Sequence, residues 1–230
     1  MRKISEIFIN GVSLEKILED HEKWLIDNRE GKRLELKNTN LSYINLRYAD
    51  LSHADLSYIN LSYADLRGAD LNHANLIGAN LISANLNYTD LSDANLRGAD
   101  LNGADLRFAY LNDIDLRDAD LRSANLSNTD LRFANLSSAN LRFANLRDAN
   151  LSYANLGDTN LISADLINVN LSCANLISAD LSDANLNNAN LSNANLIGAN
   201  LIGADLTDAD LTDANLTDAN LRGANLRNID

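Results

Sequence analysis

From Leu41 to Leu226 a leucine stands at every fifth position, 38 in succession, and Leu36 extends the series one step earlier. Two residues before each of these 38 sits a small or β-branched residue. It is alanine in most pentads, Thr39 before Leu41, and within 41–230 Ile44, Ile59, Thr89, Ile114, Thr129, Thr159 or Val169 in others, with Ile229 continuing the pattern. The residue just before each leucine is Asp or Asn, Tyr110 excepted. A period of five suits neither ordinary element. Five residues of α-helix turn through about 500°, so the leucines would spiral around the axis. In a straight strand an odd period sends successive leucines to opposite faces. Each pentad must therefore carry its own bend, and a chain that bends equally at every repeat while advancing slightly is a solenoid. Its coils should stack at the inter-strand spacing of about 4.8 Å.

The motif A-(D/N)-L-x-x, as in Ala64-Asp65-Leu66-Arg67-Gly68 and Ala149-Asn150-Leu151-Ser152-Tyr153, resembles the pentapeptide repeat family across residues 41–230. The resemblance implies an all-β solenoid, a right-handed quadrilateral parallel β-helix with four pentads per coil. The leucine and the small residue two before it would point inward, and the other three outward. At 20 residues per coil the tract makes about 9.5 coils and a rod of about 46 Å. The domain division expected is 1–33 as an N-terminal cap and 34–230 as the repeat. In the cap, Ser13 can N-cap a helix running to about Asn28, with Leu14, Ile17, Leu18, His21 and Leu25 on one stripe and Trp24 beside it. Gly31 reads as its C-terminal stop. Ile4, Ile7, Phe8 and Ile9 are expected to pack with this helix before a turn at Asn10-Gly11. The stripe would cover the first coil. The repeat runs to the other end without a cap, and such an open edge invites pairing. Several family members dimerise through that end, so a homodimer through the C-terminal coil is expected.

Charge and composition narrow the function classes. A formal charge of −13 argues against direct binding of nucleic acid or of an anionic membrane. No apolar run approaches the ~18 residues of a membrane span. The N-terminus makes a poor signal peptide, and Cys173 is the single cysteine, so a cytoplasmic location is expected. There is no phosphate loop, nucleophile elbow or HExxH, and His21, His53 and His73 are the only histidines, in no triad context. The chain reads as no enzyme and as needing no cofactor.

Function is then left to the outward positions. Residues 1–40 are neutral, so the whole excess of acid lies on the coil, with 24 aspartates against 11 arginines. Between Arg147 and Arg222 there is no basic residue but ten aspartates, among them Asp180, Asp183, Asp205, Asp208, Asp210, Asp213 and Asp218. Over the ~18 Å of rod this stretch spans, that is one charge per ~1.8 Å, close to the ~1.7 Å of duplex DNA. Some family members protect or inhibit DNA gyrase by presenting an acidic rod in its DNA site, and mimicry of this kind is the alternative reading. Against it, these aspartates fall on several faces, and the quinolone-resistance members often carry loop insertions that this chain lacks. The leading reading is a rigid, non-enzymatic binding module with an unidentified protein partner. Its candidate contact surface is aromatic and apolar. The 20-residue coil stacks Tyr43 on Tyr63, Tyr88 on Phe108 and Phe133 on Tyr153. Ile177, Ile197 and Ile202, with Ile162 and Ile167, offer an exposed apolar patch. His53, His73, Asp93 and Asp113 align in one column, but a flat ladder without a convergent pocket makes a poor metal site, and none is assigned.

Overall fold

The computed structural model describes residues 1–229. Ile4–Glu6 form a single 3-10 turn, β1 (Phe8–Ile9) and β2 (Val12–Ser13) form a two-stranded hairpin, and α1 runs over Leu14–Ile26. The hairpin turns at Asn10 and Gly11, both with positive φ, as a two-residue loop of Asn-Gly favours. Ser13 caps α1 by accepting the backbone N–H of Lys16. Two expectations need correction. The helix ends at Ile26 with Asp27 as its C-cap, so Gly31 does not stop it. Instead Gly31, at φ +67°, passes against the Asp20 carbonyl, where a Cβ has no room, and the next residue, Lys32, donates to that carbonyl at 2.9 Å. Phe8 is 67% exposed, because alternation along β1 turns it outward while Ile7 is buried and Ile9 partly so.

From Glu35 onward the chain is a coil of 20 residues. Parallel bridges join residues 20 apart, one per pentad, from Glu35↔Asp55 to Asp205↔Asn225. One pentad shows the bonding repeated throughout. Leu136 N–H donates to Asn155 O at 2.7 Å, Ser138 N–H to Gly157 O at 3.0 Å, and Ala134 O accepts Asn155 N–H at 2.9 Å. Between these, Ala139 N–H closes a turn onto Leu136 O at 3.0 Å. Every turn from Asn38 to Asn228 places its second central residue, the second after the leucine, at positive φ. That is the requirement of a type II turn, and it favours glycine, Asn and Asp. No Val, Ile or Thr stands at this position in any turn, since β-branching makes the left-handed region most costly. Ile and Thr occur one residue earlier, as at Ile177 and Thr207, where φ carries no such demand.

The leucines and the residues two before them fill the interior from Leu36 to Ala209. Where threonine replaces alanine its hydroxyl is satisfied inside: Thr89 donates to Leu66 O at 3.0 Å, Thr129 to Leu126 O at 2.6 Å and Thr159 to Leu136 O at 2.9 Å. At the first coil no earlier coil exists to pair with, and residues 1–34 meet its polar edge instead. Arg2 N–H donates to Tyr43 O, Arg2 O accepts Asn45 N–H, and the Arg2 guanidinium reaches Asn40 O. Leu14 and Leu18 of α1 lie against Leu36, Leu41, Leu46 and Leu51. In the last coil, Leu211, Leu216 and Leu221 are only half-buried and Leu226 is 39% exposed.

Turn geometry gives a direct test. Ser138, an exposed residue at positive φ, should tolerate Ser138→Gly with little change, whereas Ser138→Val should cost about 1–2 kcal/mol, the penalty of the left-handed region. Urea denaturation of the two variants reads the difference. Truncating the wholly buried leucine of the same pentad, Leu136→Ala, should cost about 2–5 kcal/mol.

Candidate functional site

Each pentad offers three outward side chains: the Asp or Asn before the leucine and the two turn residues after it. The first is held in place by its own turn. In nearly every pentad its Oδ1 accepts the backbone N–H two residues on, as in Asn140 from Arg142 and Asp180 from Ser182. When that second residue is arginine and the first is aspartate, the guanidinium folds back and grips the carboxylate with two bonds. Arg107 binds Asp105 at 2.8 and 2.7 Å, and Arg117 binds Asp115 at 2.8 and 2.6 Å. Arg122 with Asp120, Arg132 with Asp130 and Arg67 with Asp65 repeat the geometry. The guanidinium hydrogen bond holds the carboxyls of Asp65, Asp115, Asp120 and Asp130 below the usual range. At Asp105 burial pushes the other way, and Arg107 and Asn87 outweigh it. These arginines are therefore absorbed by their neighbours, and the middle of the rod presents less free charge than its composition suggests.

The seven candidate aspartates do not converge. The coil repeats every 20 residues, so Asp180 and Asp183 lie on one side, Asp205 and Asp208 on the next, Asp210 and Asp213 on the third and Asp218 on the fourth. Four of them are tied into local bonds: Asp180 accepts the Ser182 hydroxyl at 2.6 Å and the Asn200 amide at 3.1 Å, and Asp208 accepts the Asn228 amide at 2.9 Å. Thr207, Asn187 and Asn225 all donate to Asp205, and Thr212 to Asp210, and the threonine hydrogen bonds lower both carboxyls. A different acidic surface emerges. The side built on the bridges Asp50↔Asp70↔Asp90↔Tyr110↔Asp130 continues to Asp210 and carries Asp93, Asp113 and Asp213 on its turns. Against these eight aspartates it has one arginine, Arg132, already gripped by Asp130. The neighbouring side, which begins at Asn45, sets five arginines against six aspartates and is near neutrality. Counting charge along the chain misses this strip, whereas counting at steps of 20 finds it.

The aromatic candidates stand where the period places them. Tyr43 and Tyr63 stack with ring centroids 4.9 Å apart, Tyr88 and Phe108 at 5.0 Å, and Phe133 and Tyr153 at 5.2 Å, all within 15° of parallel. All six rings are exposed, and each pair occupies a different edge of the rod. Sequence reading did not single out Tyr48 and Tyr58. Each lays its ring over a glycine one coil on, Gly68 and Gly78, where an added Cβ would strike the ring at 2.7 and 2.6 Å. The signal was present as an aromatic–glycine pair at spacing 20. Arg142, which among the described residues has no carboxylate within ion-pair distance, covers the Phe143 ring at 4.7 Å. The isoleucines fail to form one patch: Ile177 and Ile197 share one column, Ile162 and Ile202 another with Ser182 between them, and Ile167 a third. His53 and His73 stack at 4.9 Å as their column requires. Among the described residues, no group of three or more His, Cys, Asp or Glu side chains is placed to hold a metal ion. Concavities adjoin the N-terminal segment. One of about 600 Å³ is lined by Ile9, Val12, Ile17, Trp24 and Leu36, with Asp20, Lys32, Arg33 and Glu35 among its polar lining.

A leucine-filled solenoid of pentads with a patterned outer surface defines a class of scaffold proteins. The chain matches the description "Pentapeptide repeats" over residues 35–72, 59–98, 99–137, 114–152, 149–188 and 189–228, and it belongs to that family. Its fold is accordingly the family's right-handed quadrilateral β-helix. Among solved structures it is similar to HetL, a pentapeptide repeat protein involved in heterocyst differentiation regulation from the cyanobacterium Nostoc sp. strain PCC 7120. That match has 38% identity, covers 84% of this chain and 91% of HetL, and has a TM-score of 0.51. It is also similar in fold to a trypsin-treated variant of QnrB1, a plasmid-mediated fluoroquinolone resistance protein, at 21% identity, with 86% and 90% of the two chains covered and a TM-score of 0.56. No curated protein matches significantly. No helix among the described residues is long and apolar enough to cross a membrane.

Because the arginine-bound aspartates have lowered pKa values, they add stability that is present above their unfolded value of 3.8 and lost as the pH falls through the depressed folded values. The triple variant Asp115→Asn, Asp120→Asn, Asp130→Asn should therefore be less stable than the parent at pH 7. In denaturant melts the gap should close as the pH falls below 3.8.

Proposed function

We propose that this protein is a rigid, non-enzymatic binding module that recognises a protein partner through its outer columns. The observation that carries this reading is the set of exposed, pre-stacked rings on a backbone fixed by hydrogen bonds to the coils above and below. Such rings lose little conformational freedom on binding, which favours them as contact points. HetL, described as involved in regulation, supports a regulatory role exercised by binding. In this reading residues 1–33 form a cap closing the first coil, and 34–230 form the repeat rod, of which residues 41–230 make about 9.5 coils. The module acts in the cytoplasm, a reducing setting suited to the exposed free thiol of Cys173.

Replacing the stacked pairs one at a time by serine (Tyr43 with Tyr63, Tyr88 with Phe108, Phe133 with Tyr153) should leave thermal stability nearly unchanged. At least one pair should abolish capture of a partner isolated with the parent protein. Equal capture by all three variants would remove the rings from the binding surface and this reading with them.

A second reading is favoured by the one-sided acidic strip: an acidic mimic of DNA that modulates a type II topoisomerase such as DNA gyrase. In a supercoiling titration, inhibition or quinolone protection at micromolar concentrations should be lost in Asp50→Asn, Asp70→Asn, Asp90→Asn. Loss instead in a variant carrying Asn at 205, 208, 210, 213 and 218 would move the site to the C-terminal coils. No effect of the parent protein would sink the gyrase reading. We further propose a homodimer through the C-terminal coil, supported by its half-buried leucines. Light scattering should give twice the mass of 25.1 kDa, and Leu216→Glu should return it to the monomer value.

A further inference from the structure

His21 is wholly buried between α1 and the first coil, and both of its ring nitrogens are engaged by backbone groups whose roles are fixed. Leu34 N–H donates to Nδ1 at 3.1 Å, so Nδ1 must bear a lone pair. Nε2 meets the Ser52 carbonyl at 3.0 Å, which can only accept, so Nε2 carries the proton. One neutral tautomer satisfies both, and no assignment of amide or hydroxyl orientation enters. The bonds also join three parts of the chain: α1, which carries the ring; Leu34, where the coil begins; and Ser52, whose carbonyl lies on the first coil's edge and has no earlier coil to pair with. Trp24, the only tryptophan, stacks on the ring from the next turn of α1 at 5.7 Å.

Protonating this ring places an N–H at Nδ1 directly against the Leu34 N–H. Two donors then face each other in a buried space, and the cation has no carboxylate bonded to it. The charged groups nearby are few. Asp50, on the first coil, favours the cation, while Arg33, beside Leu34, and His53, on the following turn, oppose it. Burial outweighs all of them and depresses the ring's pKa below its ordinary 6.5. A histidine held neutral in the folded state stabilises it above the ordinary value and progressively less as the pH falls beneath it.

We propose that His21 is an acid-released latch: its protonation detaches residues 1–33 from the first coil and uncovers the apolar floor formed by Leu36, Leu41, Leu46 and Leu51. The released unit is local. The coils beyond the first two are held by their own rungs and have no histidine, since His53 and His73 complete the chain's three. Arg2, whose backbone pairs with Tyr43 and Asn45, leaves with the same segment.

Hydrogen exchange of the full-length protein between about pH 7.5 and 4.5, corrected for intrinsic rates, tests the latch, with Trp24 fluorescence as a second readout. Protection of Leu34 and Asn45 N–H should fall by up to about tenfold per pH unit below about 6.5, the limit for one proton. Trp24 emission should change with it, and Leu136 N–H should stay protected. His21→Gln should abolish the pH step, and the double variant His53→Gln, His73→Gln should keep it. The proposal is overturned by protection that does not vary with pH in the parent protein, by a step that survives in His21→Gln, or by one that disappears in the double variant. Should His21→Gln fail to fold, a magnetic resonance titration of the parent's His21 ring decides. A ring that titrates at or above its ordinary 6.5 while Leu34 remains protected excludes the latch.

Discussion

Everything in this rod depends on backbone pairing between residues 20 apart. Each pentad gives two N–H groups to the coil after it, takes one back, and closes its own turn with a fourth bond. With every outward column fixed at one coil spacing, side chains separated by 20 in sequence become neighbours, and those separated by five or ten do not. The rings of Tyr43 and Tyr63, the imidazoles of His53 and His73, and the amide of Asn175 reaching Asn155 at 3.0 Å are all products of that single rule. Leucine burial supplies the driving force, but it is indifferent to which outer columns face one another. The rungs make that choice.

The same rungs hold a conformation that most residues avoid. A tyrosine or phenylalanine at φ near +60° is disfavoured in isolation, yet Tyr43, Tyr48, Phe108 and Phe133 all adopt it. The bonds before and after each turn over-determine the backbone, and stacking or cover from a neighbouring residue offsets part of the cost. Tyr48 and Tyr58 make the exchange explicit, since each fills the space left by a glycine in the next coil. Exposed aromatics at these corners are therefore partly structural. A partner that uses them meets rings already held in place.

Much of the fold was legible in the sequence because an unbroken leucine register admits few geometries, and the aromatic stacks followed from the coil length. The one-sided acidic strip went unread for a physical reason. Residues 148–221 form a contiguous acidic stretch only along the chain, and the coil winds them around all four sides, whereas Asp50, Asp70 and Asp90 are scattered in sequence and adjacent in space. The N-terminal segment was legible in outline, since Ser13, the stripe from Leu14 to Leu25 and the Asn10-Gly11 turn all read locally. The outward placement of Phe8, the close passage of Gly31 against Asp20 and the two backbone partners of His21 depend on contacts between distant segments, and no local pattern encodes them.

A rod with a uniform interior has only its exterior with which to be specific, and this one distributes its charge unequally. On the side beginning at Asn45, arginines and aspartates alternate and largely satisfy one another, as at Asp65–Arg67 and Asp105–Arg107. On the side beginning at Asp50, three aspartates stand in consecutive coils with no ion-pair partner among the described residues, at a separation where like charges repel. Solubility alone is served equally well by spreading those carboxylates over four sides, with less repulsion. Concentrating them is an electrostatic cost to the folded rod that its leucine core can bear. It gives the molecule one strongly negative flank beside a nearly neutral one, and so an orientation toward any partner that carries positive charge.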